Sequence, residues 1–443
     1  MSRTSTLLLV GEVIVDFATA KPGFECKLRL GGIVHAARGL WACSLPYAIA
    51  AVCPKYLVDQ ARNYLMHHGC KEFVWLGEVI GSPNVTIIGD ATEVADQDYE
   101  DLLRDEKAVE IHDVKANLCS YDDILIFPGS FVISDIQHLF SQSARFSFDI
   151  AYDVESFSLL DAFAGHVRAI IISTSSPLFA RIGSKDVAPM IDAARHLGAE
   201  AFLLKENRGG SRLFNLGTGE SEAIPAILST TVNSVGVGDV YSAVMVGLSD
   251  QGWENAAWRG SRAATAYSQT TYPDDFRRDV IREFKLSFDE LRELGGTILP
   301  WHDRPRFHIY LAAPDFTYLH KPEIDRAAEA LRYHNFHLRR PVQENGEVPL
   351  GSADATLRQT FAADVALLEK CHVVFAIPLE RDPGTLVEMG MAMALSKPVI
   401  TFDARNQNNN TMVAGGSVSY SDDLDASLNA LFVTLSKLRM AEL

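Results

Sequence analysis

Two acidic residues near the end of the chain have the spacing of a reactive pair. Asp382 lies on the loop after an apolar run, and Glu388 lies in the first turns of the next predicted helix. Ligands of open α/β sheets bind beyond the carboxyl ends of the strands, so both carboxylates can face one crevice. A carboxylate near a helix N-terminus stays ionised, which suits a nucleophile. Gly384, between the two acids, would let the backbone approach a ligand closely.

The segment around this pair resembles the nucleoside 2-deoxyribosyltransferases and related nucleotide N-glycosidases. The similarity covers roughly residues 307–435 and depends on three sequences: IYLAAP, DVALLEKCHVVFAIP and DPGTLVE. The resemblance places the nucleophilic glutamate of that family on Glu388. It places the family's two supporting aspartates on Asp364 and Asp382.

In that family the glutamate attacks the anomeric carbon and forms a glycosyl-enzyme, and one aspartate protonates the departing base. The bond breaks through an oxocarbenium-like state, which an adjacent carboxylate stabilises. The resemblance also implies that Tyr310 orients the glutamate and that Asn410 reaches a neighbouring subunit's site. We therefore expect a homo-oligomer, and no cofactor for this domain. The sequence leaves open the base, ribose or deoxyribose, and transfer or hydrolysis.

A second reactive pattern is the sequence NSVGVGD at the start of a predicted helix. Gly236, Val237 and Gly238 would present backbone N–H groups to an anion. Asp239, in the first helical turn, could accept a proton from an attacking hydroxyl group. This arrangement suits phosphoryl transfer, in which positioning and charge stabilisation do most of the catalytic work.

This part of the chain resembles the ribokinase (PfkB) family of sugar and nucleoside kinases over roughly residues 5–290. The resemblance implies that Asp239 is the catalytic base and that residues 236–238 hold the transferred phosphoryl group. It implies that Asp16, with Gly31 and Gly32, holds the sugar. It also implies ATP and Mg²⁺ as cofactors.

The chain departs from the kinase pattern at several positions. His35 stands where the family has asparagine, Asn233 replaces the first aspartate of DTxGAGD, and residues 173–176 (STSS) replace NxxE without an acid. Asn207 stands at a glycine position on the nucleotide side. The base and the anion-binding glycines remain, so we predict an ATP-dependent kinase. The alternative is a lobe that senses a nucleoside or nucleotide and regulates the C-terminal domain.

Buried strands alternate with amphipathic helices in both parts of the chain, which predicts an α/β protein. We predict a ribokinase-like three-layer α/β/α domain with a small β lid at residues 1–294. A linker at 295–306 leads to a smaller, flavodoxin-like α/β domain at 307–443. Strands near residues 24–30 and 84–88 would form the lid.

The composition excludes several classes of protein. A hydrophobic fraction of 47% with 22% charged residues is ordinary globular composition, and a net charge of -17 argues against a nucleic-acid partner. The cysteines form no CxxC pair, and no apolar run approaches the length of a membrane span, so we expect a cytoplasmic protein without membrane contact. The histidines lack metal-binding spacing, so no metal site is predicted.

The two motif sets together suggest successive reactions. The N-terminal domain would phosphorylate a nucleoside, and the C-terminal domain would cleave the monophosphate to base and sugar phosphate. Arg339 and Arg340, after a predicted strand, are candidates for holding the 5′-phosphate. A third interpretation, in which both domains are scaffolds, predicts that Glu388→Ala leaves function untouched.

Overall fold

The computed structural model describes residues 6–19, 25–102, 106–151, 154–349 and 351–442. The chain forms two compact units, one of Met1–Thr92 and Gln97–Ile298, the other of Glu93–Asp96 and Leu299–Leu443. The predicted domain bounds stay predictions. Within the described ranges, no helix combines the length and the apolar character needed to cross a bilayer.

The first unit contains the strands β1 Leu7–Ala18, β2 Lys27–Gly32, β3 Tyr47–Cys53, β4 Cys70–Ile80, β5 Val85–Ile88, β6 Tyr99–Asp101, β7 Ala108–Ile111, β8 Asp123–Ile126, β9 Arg145–Ile150, β10 Val167–Ser173, β11 Ala201–Lys205, β12 Ser211–Asn215 and β13 Ser221–Ile224. Its α-helices are α1 Ile33–Ala42, α2 Val58–His67, α3 Lys115–Leu118, α4 Ile133–Ile136, α5 Ala188–His196, α6 Val237–Gly247, α7 Trp253–Ser268, α8 Pro273–Glu283 and α9 Phe288–Glu293.

A single long sheet forms the middle layer of this unit, in the order β13-β12-β11-β10-β9-β8-β1-β3-β4-β7. The strands from β11 to β4 pair in parallel, and β12, β13 and β7 pair antiparallel at the ends. Every residue of β3 is buried, which is typical of a parallel strand covered on both faces. The predicted three-layer architecture is confirmed.

The small lid grows out of β1, which is long enough to belong to two sheets. Its first half pairs with β3, whereas residues 13–18 pair antiparallel with β2 and residues 15–18 pair in parallel with β5. The predicted lid strands correspond to β2 and β5, although residue 24 lies outside the described residues. Asp16 therefore lies in the lid half of β1, directly opposite Arg29.

The second unit contains the strands β14 His308–Ala312, β15 His337–Arg339, β16 Val373–Ala376, β17 Val399–Phe402 and β18 Ser419–Ser421. Its α-helices are α10 Pro322–Tyr333, α11 Pro341–Asn345, α12 Asp354–Lys370, α13 Pro383–Ala394, α14 Thr411–Gly416 and α15 Leu424–Glu442.

All strands of the second unit pair in parallel, in the order β15-β14-β16-β17-β18. This is the flavodoxin-like order, and the prediction is confirmed. Because β15 and β16 lie on opposite sides of β14, the strand order reverses there, and a crevice opens at the carboxyl ends of β14 and β16. Tyr310 and Ala312 of β14 pack with residues of α12 and α13, so these helices cover the same face of the sheet.

Candidate functional site

Helix α13 begins at a sequence that fixes its first turn. Asp382 is the N-cap residue, and its Oδ2 accepts hydrogen bonds from Thr385 N at 2.7 Å and Thr385 Oγ1 at 2.9 Å. Pro383 occupies the first helical position, where its missing N–H has no helical partner to lose. An ideal Cβ on Gly384 would lie 3.1 Å from Asp382 Oδ2, so glycine leaves room for the capping carboxylate.

Glu388, one turn into this helix, meets Tyr310 of the central strand. The Tyr310 hydroxyl donates a hydrogen bond of 2.6 Å to Glu388 Oε1. Tyr310 is fully buried, whereas Glu388 is partly exposed and can be reached from solvent. Burial, and then the charge of Glu388, raise the pKa of Tyr310 above its usual range, so the phenol remains a donor.

Asp364 approaches the same pair from the facing helix, α12. Its Oδ1 accepts a hydrogen bond of 2.8 Å from Asn345 Nδ2 on α11. Burial raises the pKa of Asp364, and the Asn345 hydrogen bond opposes that effect. Burial therefore favours the protonated form of Asp364 relative to an exposed aspartate.

The three carboxylates influence each other. Burial raises the pKa of Glu388 to about 7, the Tyr310 hydrogen bond opposes this, and the charges of Asp364 and Asp382 add to it. A carboxylate that titrates near neutral pH is able to act as a nucleophile or as a proton carrier. The geometry therefore brings Tyr310, Asp364, Asp382 and Glu388 into one cluster.

Three other predicted residues of this unit have local partners. The side chain of Asn410 is the N-cap of α14, where Oδ1 accepts from Met412 N and Val413 N, and it is exposed. Arg340 forms a buried bidentate pair with Asp315 at 2.7 and 2.6 Å. Arg339 pairs with Glu344 at 2.5 Å. A 5′-phosphate could bind either arginine only if these ion pairs opened.

In the first unit, the predicted anion-binding residues form a tight turn before α6. Gly236 has φ of 80°, which glycine adopts without strain, and α6 begins at Val237. An ideal Cβ on Gly236 would lie 2.1 Å from the ring of His35. Gly238 follows within the first turn, close to the ammonium group of Lys205.

Lys205 places a positive charge beside this turn. Its Nζ contacts both oxygens of Asp149 at 2.9 and 2.8 Å and lies 3.3 Å from the carbonyl oxygen of Gly238. Burial and the charge of Asp149 raise the pKa of Asp239, and Lys205 opposes them. Asp239, the predicted base, thus lies in a buried acid–lysine–acid group that the sequence did not reveal.

The residues predicted to bind the sugar contact neighbouring side chains. Asp16 is 2% exposed, and its Oδ2 lies 2.9 Å from His35 Nε2 and 3.2 Å from Arg29 Nε. An ideal Cβ on Gly31 would lie 2.0 Å from Asp16 Oδ1, so the carboxylate packs on that glycine. Arg29 also donates to Asn233 Oδ1 at 2.8 Å. A sugar hydroxyl could reach Asp16 only if His35 or Arg29 moved.

The contacts among these side chains also shift the pKa values of Asp16 and His35. Burial raises the pKa of Asp16, but His35 and Arg29 more than offset it, and the net shift is downward. Burial lowers the pKa of His35 to about 4 despite the neighbouring Asp16. At neutral pH the pair is therefore a carboxylate in close contact with a neutral imidazole.

Comparison with known proteins gives one family match and several structural likenesses. Residues 309–425 match the family model described as Nucleoside 2-deoxyribosyltransferase. The resemblance predicted for the C-terminal part of the chain is confirmed. No curated protein shows a significant match to this chain.

Several solved structures with a fold similar to the first part of this chain are ribokinases and fructokinases. Ribokinase from Thermotoga maritima is 15% identical, with a TM-score of 0.45, over 64% of this chain and 100% of that one. Ribokinase from Arabidopsis thaliana, complexed with ribose and ATP, is 14% identical, with a TM-score of 0.43, over 64% and 99%. Fructokinase from Vibrio cholerae O395 is 10% identical, with a TM-score of 0.48, over 61% and 95%. These values are too low to transfer an activity.

The Mg²⁺ ion of the first unit stays a prediction, since Mg²⁺ is usually held by one or two carboxylates together with substrate phosphates. In the part of the chain that the structure describes, no group of three or more His, Cys, Asp or Glu side chains could hold a metal ion. Asp149, the buried acid beside Asp239, is already paired with Lys205. Residues 173–176 contribute hydroxyl groups without a carboxylate.

Sequence reasoning missed the residues that hold these acids in place. Asn345 lies 19 residues from Asp364 and Arg29 lies 13 residues from Asp16, and no spacing rule links either pair. Asp149 could have been noticed, because it is an acid inside the apolar run FSFDI. A buried acid near the carboxyl end of a parallel strand is a recurrent position for ligand-binding residues.

Proposed function

We propose that the C-terminal unit breaks the N-glycosidic bond of a nucleoside or nucleoside monophosphate, with Glu388 as the nucleophile. The observation that carries this proposal is the 2.6 Å hydrogen bond from Tyr310 to Glu388, beside Asp364 and Asp382. It fixes the carboxylate at the crevice between β14 and β16 while its other oxygen stays available. The family match to residues 309–425 supports the same chemistry.

In the first step, a Glu388 oxygen bonds to C1′ as the C1′–N bond breaks, and the bonding electrons pass to the base. Asp364 donates a proton to the departing nitrogen, because burial favours its protonated form. Asp382 instead accepts two hydrogen bonds from Thr385 as the cap of α13. In the second step, water or another base attacks C1′ and releases Glu388.

Mass spectrometry of the products from a panel of nucleosides and their 5′-monophosphates tests this proposal. The wild-type protein should release or exchange the base of at least one member, and Glu388→Ala should abolish that reaction. Glu329→Ala changes an exposed glutamate on α10 of the same unit and is the matched control. A Glu388→Ala variant as active as Glu329→Ala would refute the proposed nucleophile.

A second copy of the chain is the partner we propose for the C-terminal unit. Helix α12 is 17 residues long, yet it buries only Leu367 and Leu368. Leu357 and Phe361 on the same helix are 50% and 57% exposed, and Met412 on α14 is 78% exposed. Such exposed apolar side chains are typical of an interface. Light scattering should give a dimer or larger assembly, and Phe361→Glu should shift it toward monomer.

For the first unit we propose nucleoside or sugar phosphorylation, with Asp239 as the base and the 236–238 turn holding the phosphoryl group. A raised pKa makes Asp239 able to accept a proton near neutral pH. Lys205 would supply positive charge at the turn, and ATP would be the phosphoryl donor. The product would then be a substrate for the C-terminal unit.

Binding without phosphoryl transfer is the second candidate for this unit. It is favoured by the ion pairs that occupy Asp16 and by the His35 ring against Gly236. Incubation of the protein with nucleosides, with and without ATP and Mg²⁺, separates the two candidates. ATP-dependent formation of a monophosphate that Asp239→Ala abolishes would support the kinase. Saturable nucleoside binding without a phosphorylated product, together with ligand-dependent base release, would support the sensor.

A further inference from the structure

The loop that carries Asp382 follows an unfavourable backbone path. Glu380 and Arg381, the two residues before Asp382, both have φ of 55°. Two consecutive non-glycine residues in the left-handed region persist only where neighbouring structure holds them there. The position of Asp382, and with it the start of α13, therefore depends on the contacts of residues 378–382.

The buried contact of this loop comes from the loop after the next strand, β17. Asn408 is 3% exposed, and its Nδ2 donates to the carbonyl oxygen of Pro378 at 2.6 Å and to Asp403 Oδ1 at 3.2 Å. The backbone N–H of Asn408 donates to Asp403 Oδ2 at 2.6 Å. Both hydrogens of the Asn408 amide are thereby used to join Pro378 to Asp403.

Asp403 is in turn fixed by the edge strand. It is 1% exposed and follows β17 directly, and its backbone N–H donates to Ser421 O at 2.8 Å. Its Oδ2 accepts a hydrogen bond of 2.5 Å from the hydroxyl of Tyr420 on β18. A continuous chain of hydrogen bonds therefore runs from the half-buried Tyr420 through the buried Asp403 and Asn408 to Pro378.

Two contacts nearer the surface join the same pair of loops. Arg381 Nε donates to the carbonyl oxygen of Gln407 at 3.1 Å, and Arg405 forms an ion pair with Glu380. Exposed contacts of this kind contribute little by themselves. The chain of hydrogen bonds is the contact that can hold the strained residues.

We propose that Asn408 is a positioning residue, and that the Tyr420–Asp403–Asn408–Pro378 chain holds residues 378–382 so that Asp382 and Glu388 keep their reactive arrangement. The proposal rests on the proposed N-glycosidase function for its effect on rate. Its structural content, the restraint of the loop, does not depend on activity. None of these residues contacts the substrate in this account, because they act through the backbone that carries Asp382.

Asn408→Ala in the full-length chain removes the amide, and Tyr420→Phe removes the hydrogen bond to Asp403 while keeping the volume of the ring. Asn409→Ala, at the exposed neighbouring position, is the matched control. Hydrogen exchange of the amides between residues 379 and 388, measured by mass spectrometry, reports loop restraint without any substrate. Steady-state kinetics on an accepted nucleoside and the pH dependence of kcat/KM report its catalytic effect.

We expect faster exchange in residues 379–388 of Asn408→Ala, and unchanged exchange in β14. We expect kcat to fall about 10- to 100-fold with KM nearly constant, because small misplacement of reacting groups has effects of that size. The acid limb of the pH profile should move to lower pH as the charge of Asp382 leaves Glu388. Tyr420→Phe should act in the same direction and less strongly.

Two results would overturn the proposal. One is unchanged exchange in both variants, whatever the activity of the wild-type protein. The other is a kcat per folded molecule of Asn408→Ala that equals that of Asn409→Ala, which would show that Asn408 is a purely structural residue. A wild-type protein that breaks no N-glycosidic bond, but shows the exchange difference, would refute the proposed function and keep the restraint of the loop.

Discussion

Replacement of Tyr310 by phenylalanine tests the electrostatics of the cluster most directly. The ring is fully buried and is retained, so the change removes only the hydroxyl that donates to Glu388. That hydrogen bond opposes the effects of burial and of the neighbouring aspartates on the pKa of Glu388. Without it, the pKa of Glu388 should rise further above its value of about 7.

The size of the effect follows from the strength of such a bond. A hydrogen bond to a charged group is worth about 1.5–3 kcal/mol. At about 1.36 kcal/mol per pKa unit, the pKa of Glu388 should rise by about 1–2 units. At pH 7 the ionised fraction would fall from about one half to about 1–10%, so kcat/KM should fall about 5- to 50-fold.

The assay is kcat/KM for base release, measured for wild type and Tyr310→Phe from pH 5 to pH 9.5. The acid limb of the variant's kcat/KM profile should lie at higher pH than that of wild type. The deficit in kcat/KM should shrink at pH values where Glu388 is ionised in both proteins. Circular dichroism at each pH controls for unfolding. A deficit of constant size across the pH range, or an acid limb shifted to lower pH, would show that Tyr310 does not act through the ionisation of Glu388.

Further substitutions give separable outcomes. Asp382→Asn keeps a side-chain acceptor for Thr385, so calorimetry should show a Tm near that of wild type while the acid limb of activity moves to lower pH. Asp382→Ala should also lose about 1 kcal/mol of stability, because the helix cap is gone. The folded-state pKa of Glu388 is raised from 4.5 to about 7, so the stability gained from its protonated form is present below about pH 4.5 and lost as pH rises through 7. Glu388→Gln should therefore stabilise the inactive protein by about 1–3 kcal/mol at pH 8 and by almost nothing at pH 4, as urea unfolding can measure. Gly236→Ala should lower the Tm of the first unit more than Gly165→Ala. Of these two glycines, both of which have positive φ, only Gly236 lies against another side chain. Equal losses of Tm would contradict that contact.

The fold could be predicted where the signal was long and periodic. Apolar runs that end at glycine or proline predict the buried strands and the amphipathic helices of both units. The three-residue edge strands β15 and β18 could not be predicted, because they are too short to show a period. The pairing of β1 in two sheets could not be predicted either, because the alternation of side chains along a strand does not show which strand each half will pair with.

In the candidate site, too, contacts between residues a few positions apart could be predicted, whereas contacts that form only when strands pair could not. The cap of α13 could have been predicted, because Asp382 and Thr385 are three residues apart and follow a known capping pattern. The ion pairs of Asp16 could not, because Arg29 and His35 meet it only after β1 and β2 have paired. The sequence therefore identified acids that lie together in the structure, but not whether their charges are already compensated.

That distinction bears on the roles of Glu388 and the two aspartates beside it. Carboxylates that feel each other's charge cannot all stay ionised at neutral pH without cost, so one of them must hold a proton. Burial raises the pKa of Asp364 more than the hydrogen bond from Asn345 lowers it, and burial also raises the pKa of Glu388 to about 7. Asp382 accepts two hydrogen bonds from Thr385. In the proposed mechanism, Asp364 holds the proton when Glu388 attacks C1′, so the active form of the cluster is the one in which Glu388 is ionised. An Asn345→Leu variant should make Asp364 a still weaker acid and shift the basic limb of kcat/KM to higher pH; an unchanged basic limb would assign the proton to a different acid.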